Sequence, residues 1–271
     1  MTLEELRKSP HLSVSAVNDY CDCALAYMFN RVDHRAPEFV ADALVFGITM
    51  HRVLENLYRA KKRRDIPPLA YVLEWFENYW IRAVEETPNI QFKEGESRET
   101  LLKKGKDLLA AYWKDHPQDG YRVLATEYEF SFEIEGLEIP IIGVMDLIEE
   151  DSGGNVIITD FKTSSRAYSS DEIDKSLQLT MYYMAAQRNG FADREILLRF
   201  DCLVKTKTPK FEQYYTVRTE EDERRAIKKI RQVWSGIRKG VFIPNDTGWK
   251  CGYCSYRETC NHWFLEEEEV A

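Results

Sequence analysis

Two aspartates and a lysine carry the spacing with the most chemistry in it: Asp146, then Asp160 and Lys162, in the stretch that runs from Gly143 to Lys162. β-Branched runs flank the turn cluster Asp151-Ser-Gly-Gly-Asn155, which predicts a β-hairpin. A loop centred on Gly153 sets Asp146 directly opposite Asp160, and puts Lys162, two residues on, on the same strand face as Asp160. Facing carboxylates repel, the more so among hydrophobic neighbours. Removing either should then relieve strain in the metal-free protein, whereas a divalent cation between them turns the repulsion into a site. The plain alternative is a solvated hairpin face on which each aspartate finds its own lysine or arginine.

Cysteines form the second chemical group. Cys251-x-x-Cys254 followed by Cys260 has the spacing of metal ligands. Three thiolates need a fourth partner, and His262 would complete a zinc site locally, whereas Cys23 would complete an iron–sulfur site from the far end of the chain. Spacing alone favours zinc. With no export signal, six cysteines do not read as a disulfide framework. Cys202, alone in the apolar pattern 196–204, is expected to be buried and inert, and Cys21 is a substitute for Cys23.

The elements that must position these groups follow from periodicity. Between Leu44 and Arg64, Phe46, Met50, Val53, Leu54 and Leu57 recur at helical spacing. His51 borders that stripe, with Gly47 one turn before it and Glu55 one turn after. A short helix capped at Ser15 is expected near the N-terminus, and two more over 67–87 and 96–116, opened by Pro67-Pro68 and by a glutamate-rich cap. Trp75, Trp80 and Trp113 read as packing aromatics. Strands resume at Tyr121; residues 122–132 alternate loosely, with Glu127 and Glu129 on one side. Gly136 turns the chain into a strand over 139–148, where Pro140 marks an edge or a strand start. After the hairpin come a polar loop, a helix over 171–188 with Gln178 and Tyr182 on one face, and strands over 195–205 and 211–217. Thr219 caps a helix running to Lys239, with Arg224, Lys228 and Arg231 at helical spacing.

The 271 residues, 44% apolar and 31% charged, fit a soluble globular chain with ample length for a core. No run approaches 18 apolar residues and the N-terminus is acidic, so a cytoplasmic protein with no membrane partner is expected. A net charge of −9 argues against nucleic acid, whose backbone needs clustered cations, unless the signs are segregated. Local basic groups exist at 61–64, 103–106, 205–210 and 224–231, against an acidic tail at Glu266–Glu269.

The phrase Gly143-x-x-Asp146 … Thr159-Asp160-Phe161-Lys162-Thr163 resembles the PD-(D/E)XK nuclease superfamily in its RecB-like branch. Further phrases resemble the AddB-like and CRISPR-associated iron–sulfur members. These are Ser-x-x-x-x-Tyr20-x-x-Cys23, Gly47-x-x-x-His51, Gln178-x-x-x-Tyr182 and Phe242-x-Pro244 before the three cysteines. Ala24 stands where that family has proline. The resemblance implies an α/β fold with a restriction-endonuclease-like central mixed β-sheet flanked by helices. A single domain over 1–271 is expected, with a helical region at about 39–116, a nuclease core at about 121–240, and a C-terminal cysteine cluster at 242–263 joined to 13–30.

It further implies a Mg²⁺- or Mn²⁺-dependent deoxyribonuclease, exonucleolytic on single-stranded DNA ends, in repair, recombination or CRISPR-type processing, with protein partners in such a complex. His51, Asp146, Asp160 and the Phe161 carbonyl would hold the metal. Lys162 would position the nucleophile or stabilise the transition state, Gln178 and Tyr182 would orient a phosphate or the attacking water, and Glu127 matches an acidic residue of the first strand. Cys23, Cys251, Cys254 and Cys260 would bind a [4Fe–4S] cluster in place of zinc, screened by Trp249, Tyr253, Tyr256 and Trp263. The rival is a non-catalytic DNA-binding or assembly module of the same fold with a structural zinc or cluster.

Overall fold

The structure is a computed structural model and describes residues 3–115 and 120–265; the acidic run Glu266–Glu269 lies outside them. In chain order the elements are α1 (Leu3–Leu6), β1 (Leu12–Ser13), α2 (Val14–Asp22), α3 (Ala24–Tyr27), β2 (Val40–Ala41), α4 (Asp42–Lys62), α5 (Leu69–Glu86), β3 (Ile90–Gln91) and α6 (Arg98–Asp115). Then follow β4 (Arg122–Phe132), β5 (Ile141–Glu150), β6 (Val156–Ser164), α7 (Ser170–Asp174), α8 (Leu177–Arg188), β7 (Ile196–Val204), β8 (Lys210–Thr216), α9 (Glu220–Arg238) and α10 (Arg257–Trp263).

Helix starts follow side-chain capping rather than composition. Ser13, not Ser15, caps α2: its Oγ accepts the Ala16 N–H at 3.0 Å, while the Ser15 hydroxyl bonds to Ser13 and to Arg31. At α6 the Ser97 hydroxyl, not a glutamate, accepts the Thr100 N–H. The helix expected over 171–188 is two helices, because Ser169 and Ser176 each cap a separate start. Thr219 caps α9 in a reciprocal box with Asp222, as its sequence predicts.

One mixed six-stranded sheet organises the chain around β5. β4 runs antiparallel along the whole of it. The other edge of β5 is shared: β1 pairs in parallel with Ile141 and Ile142, and β6 pairs antiparallel with 147–150. β6 then continues in parallel with β7, and β8 closes antiparallel to β7. The hairpin register is the one centred on Gly153, with Leu147 opposite Thr159 and Glu150 opposite Val156. The ladder stops one step short of Asp146 and Asp160, so β5 and β6 fork where those residues sit. Pro140 immediately precedes β5.

Both faces of the sheet are covered. α4, α5 and α6 pack Phe46, Met50, Trp80 and Leu108 against Leu147, Phe161 and Leu203. α2, α8 and α9 pack Val17, Met181 and Ile230 against Met145, Ile148, Ile158 and Leu198. The helices of the N-terminal part are therefore one wall of the sheet's core, built before the sheet they cover. Apolar alternation slips at the fork: Met145 and Ile148, three apart, share a core, and so do Ala125 and Tyr128 on β4. Gly143 is needed here because the Phe130 ring lies across it; a Cβ would come within 2.4 Å of that ring. Among the described residues no helix is long and apolar enough to cross a membrane.

Candidate active site

The fork gathers side chains from both faces. Asp146 lies one step past the end of the β5–β6 ladder, and its Oδ2 accepts the Phe161 backbone N–H at 2.7 Å, taking the place a ladder carbonyl would fill. From α4, the His51 Nδ1 lies 3.3 Å from the same oxygen. Burial disfavours the His51 imidazolium, but the hydrogen bond and charge of Asp146, with Asp160 behind it, outweigh that and raise its pKa.

From β6, Asp160 and Lys162 point to the opposite face. Lys162 Nζ lies 2.6 Å from Asp160 Oδ2 and donates to Gln178 Oε1 at 2.8 Å. Gln178 Nε2 donates to Asp160 Oδ1 at 2.7 Å, and the Tyr182 hydroxyl donates to that oxygen at 3.2 Å. Asp160 is buried, and its pKa is raised by burial first, against Lys162 and with the help of Asp146. Burial works against the Lys162 ammonium too, yet Asp160 more than compensates and keeps it protonated.

Glu127 reaches the fork from β4, between the pairs Thr126–Leu147 and Tyr128–Met145, which puts it across from Asp146. Its φ is +48°, a left-handed conformation that a glutamate adopts only under constraint. Burial, then the charges of Asp146 and Glu55, push its carboxyl up to about 7. Excess negative charge is thus concentrated around Asp146, where a cation would be stabilised.

A family model of the PD-(D/E)XK nuclease superfamily matches residues 11–261. The chain belongs to that superfamily. No curated protein matches the chain. A crystal structure described as "Putative exonuclease" from Eubacterium rectale aligns with TM-score 0.56 at 12% identity, over 96% of this chain and 91% of that one, and shows the shared fold. The structure of SSO0001 aligns with TM-score 0.39 at 15% identity, over 90% of this chain and 94% of that one.

Within the superfamily frame, the expected site residues His51, Asp146, Asp160, Phe161, Lys162, Gln178, Tyr182 and Glu127 all meet at or beside the fork. The simple picture of two opposed carboxylates is corrected. Asp146 is held by His51 and the Phe161 N–H, and Asp160 by Lys162, Gln178 and Tyr182, so each carboxylate is already engaged. Tyr182 is buried, and its hydrogen bonds and those of Gln178 run to Asp160, Lys162 and each other. Glu55 was not singled out from sequence as a site residue; its place one turn after His51 was the available signal. Here it joins the field around Glu127 and pairs with Arg59 at 2.5 Å.

The basic residues at helical spacing on α9 lie in different settings. Lys228 lines a cleft of about 550 Å³ with Lys175, Arg225 and Lys229, whereas Arg231 donates to the Glu135 carbonyl.

Cys23, Cys251, Cys254 and Cys260, from the two ends of the chain, line one cleft of about 870 Å³. Burial raises the Cys260 pKa, and the neighbouring thiols of Cys23, Cys251 and Cys254 add to it. Cys23 Sγ accepts the Asn245 N–H at 3.4 Å. Cys21 is exposed, and Cys202 is buried in β7 with its thiol pushed up to about 12 by burial. The His262 Nδ1 is engaged with the Glu258 carbonyl at 2.8 Å. Tyr256 and Trp263 pack beside these cysteines, but Tyr253 is exposed, and the Trp249 side chain lies outside the described residues. Among the described residues, no three His, Cys, Asp or Glu side chains close around a single metal ion.

Proposed function

We propose that the chain works as one nuclease domain that hydrolyses DNA phosphodiesters, taking single strands from their ends, with Mg²⁺ or Mn²⁺. The convergence of His51, Asp146, Asp160 and Lys162 on the fork between β5 and β6 carries this reading. The donor set fits a hard divalent cation in its chemistry: an imidazole, two carboxylates and the Phe161 carbonyl, which leaves β6 on the same edge as the Phe161 N–H. Asp160 Oδ2 fits as well, being buried with the Lys162 ion pair as its contact and no directed hydrogen bond. Bound there, the metal would lower the pKa of a water and offset charge on the phosphate.

The chain's own groups do the rest. Asp146 and Asp160 are pre-oriented by partners on both faces, so little reorganisation is needed at the moment of reaction. Lys162 keeps its proton and presents a cation beside Asp160, suited to a non-bridging phosphate oxygen or to the nucleophile. Gln178 and Tyr182 fix the rotamers of Asp160 and Lys162, which makes them positioning residues in this reading. A non-catalytic module would have no use for a strained Glu127 facing Asp146. The test is end-labelled single- and double-stranded DNA incubated with Mg²⁺, Mn²⁺ or EDTA. Shortening of the single strand with Mn²⁺ and none with EDTA is expected; no cleavage of any DNA with either metal would overturn the reading.

For the cysteines we propose a [4Fe–4S] cluster on Cys23, Cys251, Cys254 and Cys260. The cleft that all four line, and the resemblance of their spacing to the iron–sulfur members, support a cluster over zinc. Such a cluster would tie the two ends of the chain together. Cys23→Ser should lose iron and the brown absorption near 400 nm, and Cys21→Ser should keep both; the reverse result would reassign the fourth ligand.

A further inference from the structure

Helix α4 brings His51 to the fork, and the same stripe of that helix carries two bare aliphatic side chains. Leu44 lies seven residues before His51, nearly two full turns, and so stands in line with it; Ile48 lies three before. They are 58% and 61% exposed, while Val45, Phe46, Met50, Val53, Leu54 and Leu57 of the same helix are buried in the core. Along the helix axis they stand about 10 Å and about 4–5 Å from His51. Gly47 lies beside Thr163, whose hydroxyl would be in ordinary van der Waals contact with a Cβ at that position.

Cations stand toward both ends of this stripe among carboxylates, Asp42 and Glu96 at one end and Asp160 and Glu55 at the other. Toward the start of α4, Lys205 lies 5.0 Å over the Phe46 ring, with Lys93 and Lys104 as neighbours alongside Asp42 and Glu96. Toward His51 stand Arg52, 4.5 Å over the Tyr79 ring, and, on the other face of the fork, Lys162 paired with Asp160. Apolar side chains between cations match an unpaired nucleic-acid strand, which offers apolar base faces on an anionic backbone. A duplex hides those faces in its stack and would meet only the cations.

We propose that Leu44 and Ile48 form a base-binding subsite for single-stranded DNA, holding the one or two nucleotides next to the phosphate at the fork. The proposal rests on the nuclease reading and adds what selects the single strand. Its test is binding of fluorescein-labelled single-stranded oligonucleotides, followed by anisotropy in EDTA so that nothing is cut. The probes are an intact strand and strands with abasic residues placed in turn near each end.

Leu44→Ala with Ile48→Ala should weaken binding of the intact strand about ten-fold. For the strand whose abasic residues face the stripe, wild type and variant should bind within about two-fold of each other. The variant should melt at the wild-type temperature, because both side chains are exposed.

An equal loss on intact and abasic strands, or no loss on either, would overturn the subsite while leaving a cutting enzyme in place. So would a change of oligomeric state in the variant on size-exclusion chromatography, which would make the stripe a protein contact. Wild-type protein that neither binds nor cuts any DNA would take the nuclease reading and the subsite down together.

Discussion

Asp160→Asn should lower the rate of single-strand cleavage by about a thousand-fold or more, measured under saturating Mn²⁺. Asparagine keeps the size of the side chain and loses the charge that both the metal and Lys162 require. Asp160→Ala should be as inactive, and it should also be less stable. In that variant Lys162 becomes a mostly buried cation without its carboxylate, and Gln178 and Tyr182 lose the acceptor they converge on. A loss of about 2–3 kcal/mol is expected, below that for a wholly buried pair because Lys162 is partly solvated. This reverses the expectation from two bare opposed carboxylates, where removing one would stabilise. The double variant Asp160→Ala with Lys162→Met should recover most of the stability and none of the cleavage, since it removes both charges. Urea unfolding and cleavage assays on the same three proteins decide the matter. Cleavage by Asp160→Asn at near the wild-type rate would remove Asp160 from the chemistry. An Asp160→Ala protein as stable as wild type would show that the ion pair does not matter to the fold.

Arg199→Met should destabilise the protein by about 3–5 kcal/mol, the largest stability effect expected from one surface-inaccessible charge. Arg199 is fully buried on β7 beneath the α4–α6 layer. It donates to Glu149 Oε2 at 3.0 Å and to the Tyr215 hydroxyl at 3.2 Å, and its Nε lies 2.9 Å from Asp201 Oδ1. Glu149 takes a second cation, Lys61, at 3.1 Å. The network therefore pins β5 to β7 across buried Thr159 of β6, two residues from where β5 turns into the site at Leu147 and Asp146. Losing the guanidinium takes the closest cation from Asp201 and one of two from Glu149, in a low-dielectric core. Adding Glu149→Gln and Asp201→Asn to Arg199→Met should restore much of the loss, because the penalty lies in the unpaired charges rather than in the missing bonds. The measurement is the urea midpoint of the single and triple variants. A single variant within about 1 kcal/mol of wild type would mean that the carboxylates find other partners.

Both predictions concern contacts that join distant parts of the chain, and they mark the line between what was legible in the sequence and what was not. The hairpin register was legible, because turn chemistry and alternation act over a few residues, and the loop at Gly153 sets every pair up to Leu147 and Thr159. The helical stripe bearing His51, the Gln178–Tyr182 face and the Thr219 cap were legible for the same local reason. The cysteine spacing pointed to a shared centre, and the fold gathers the four thiols into one cleft. The tertiary structure alone decided where the ladder stops. The ladder ends where β6, paired with β7 along its whole length, diverges from β5 while β1 takes the lower edge of β5, pairing Leu12 with Ile141 across most of the N-terminal half of the chain. That fork frees Asp146 to accept the Phe161 N–H, with Glu127 of β4 across from it at positive φ. It also decided the charge partners. Arg199 and Asp201 read in sequence as interruptions of an apolar strand, and only burial beside Glu149 makes them a network, because the energy of a charge depends on what surrounds it in space and not along the chain.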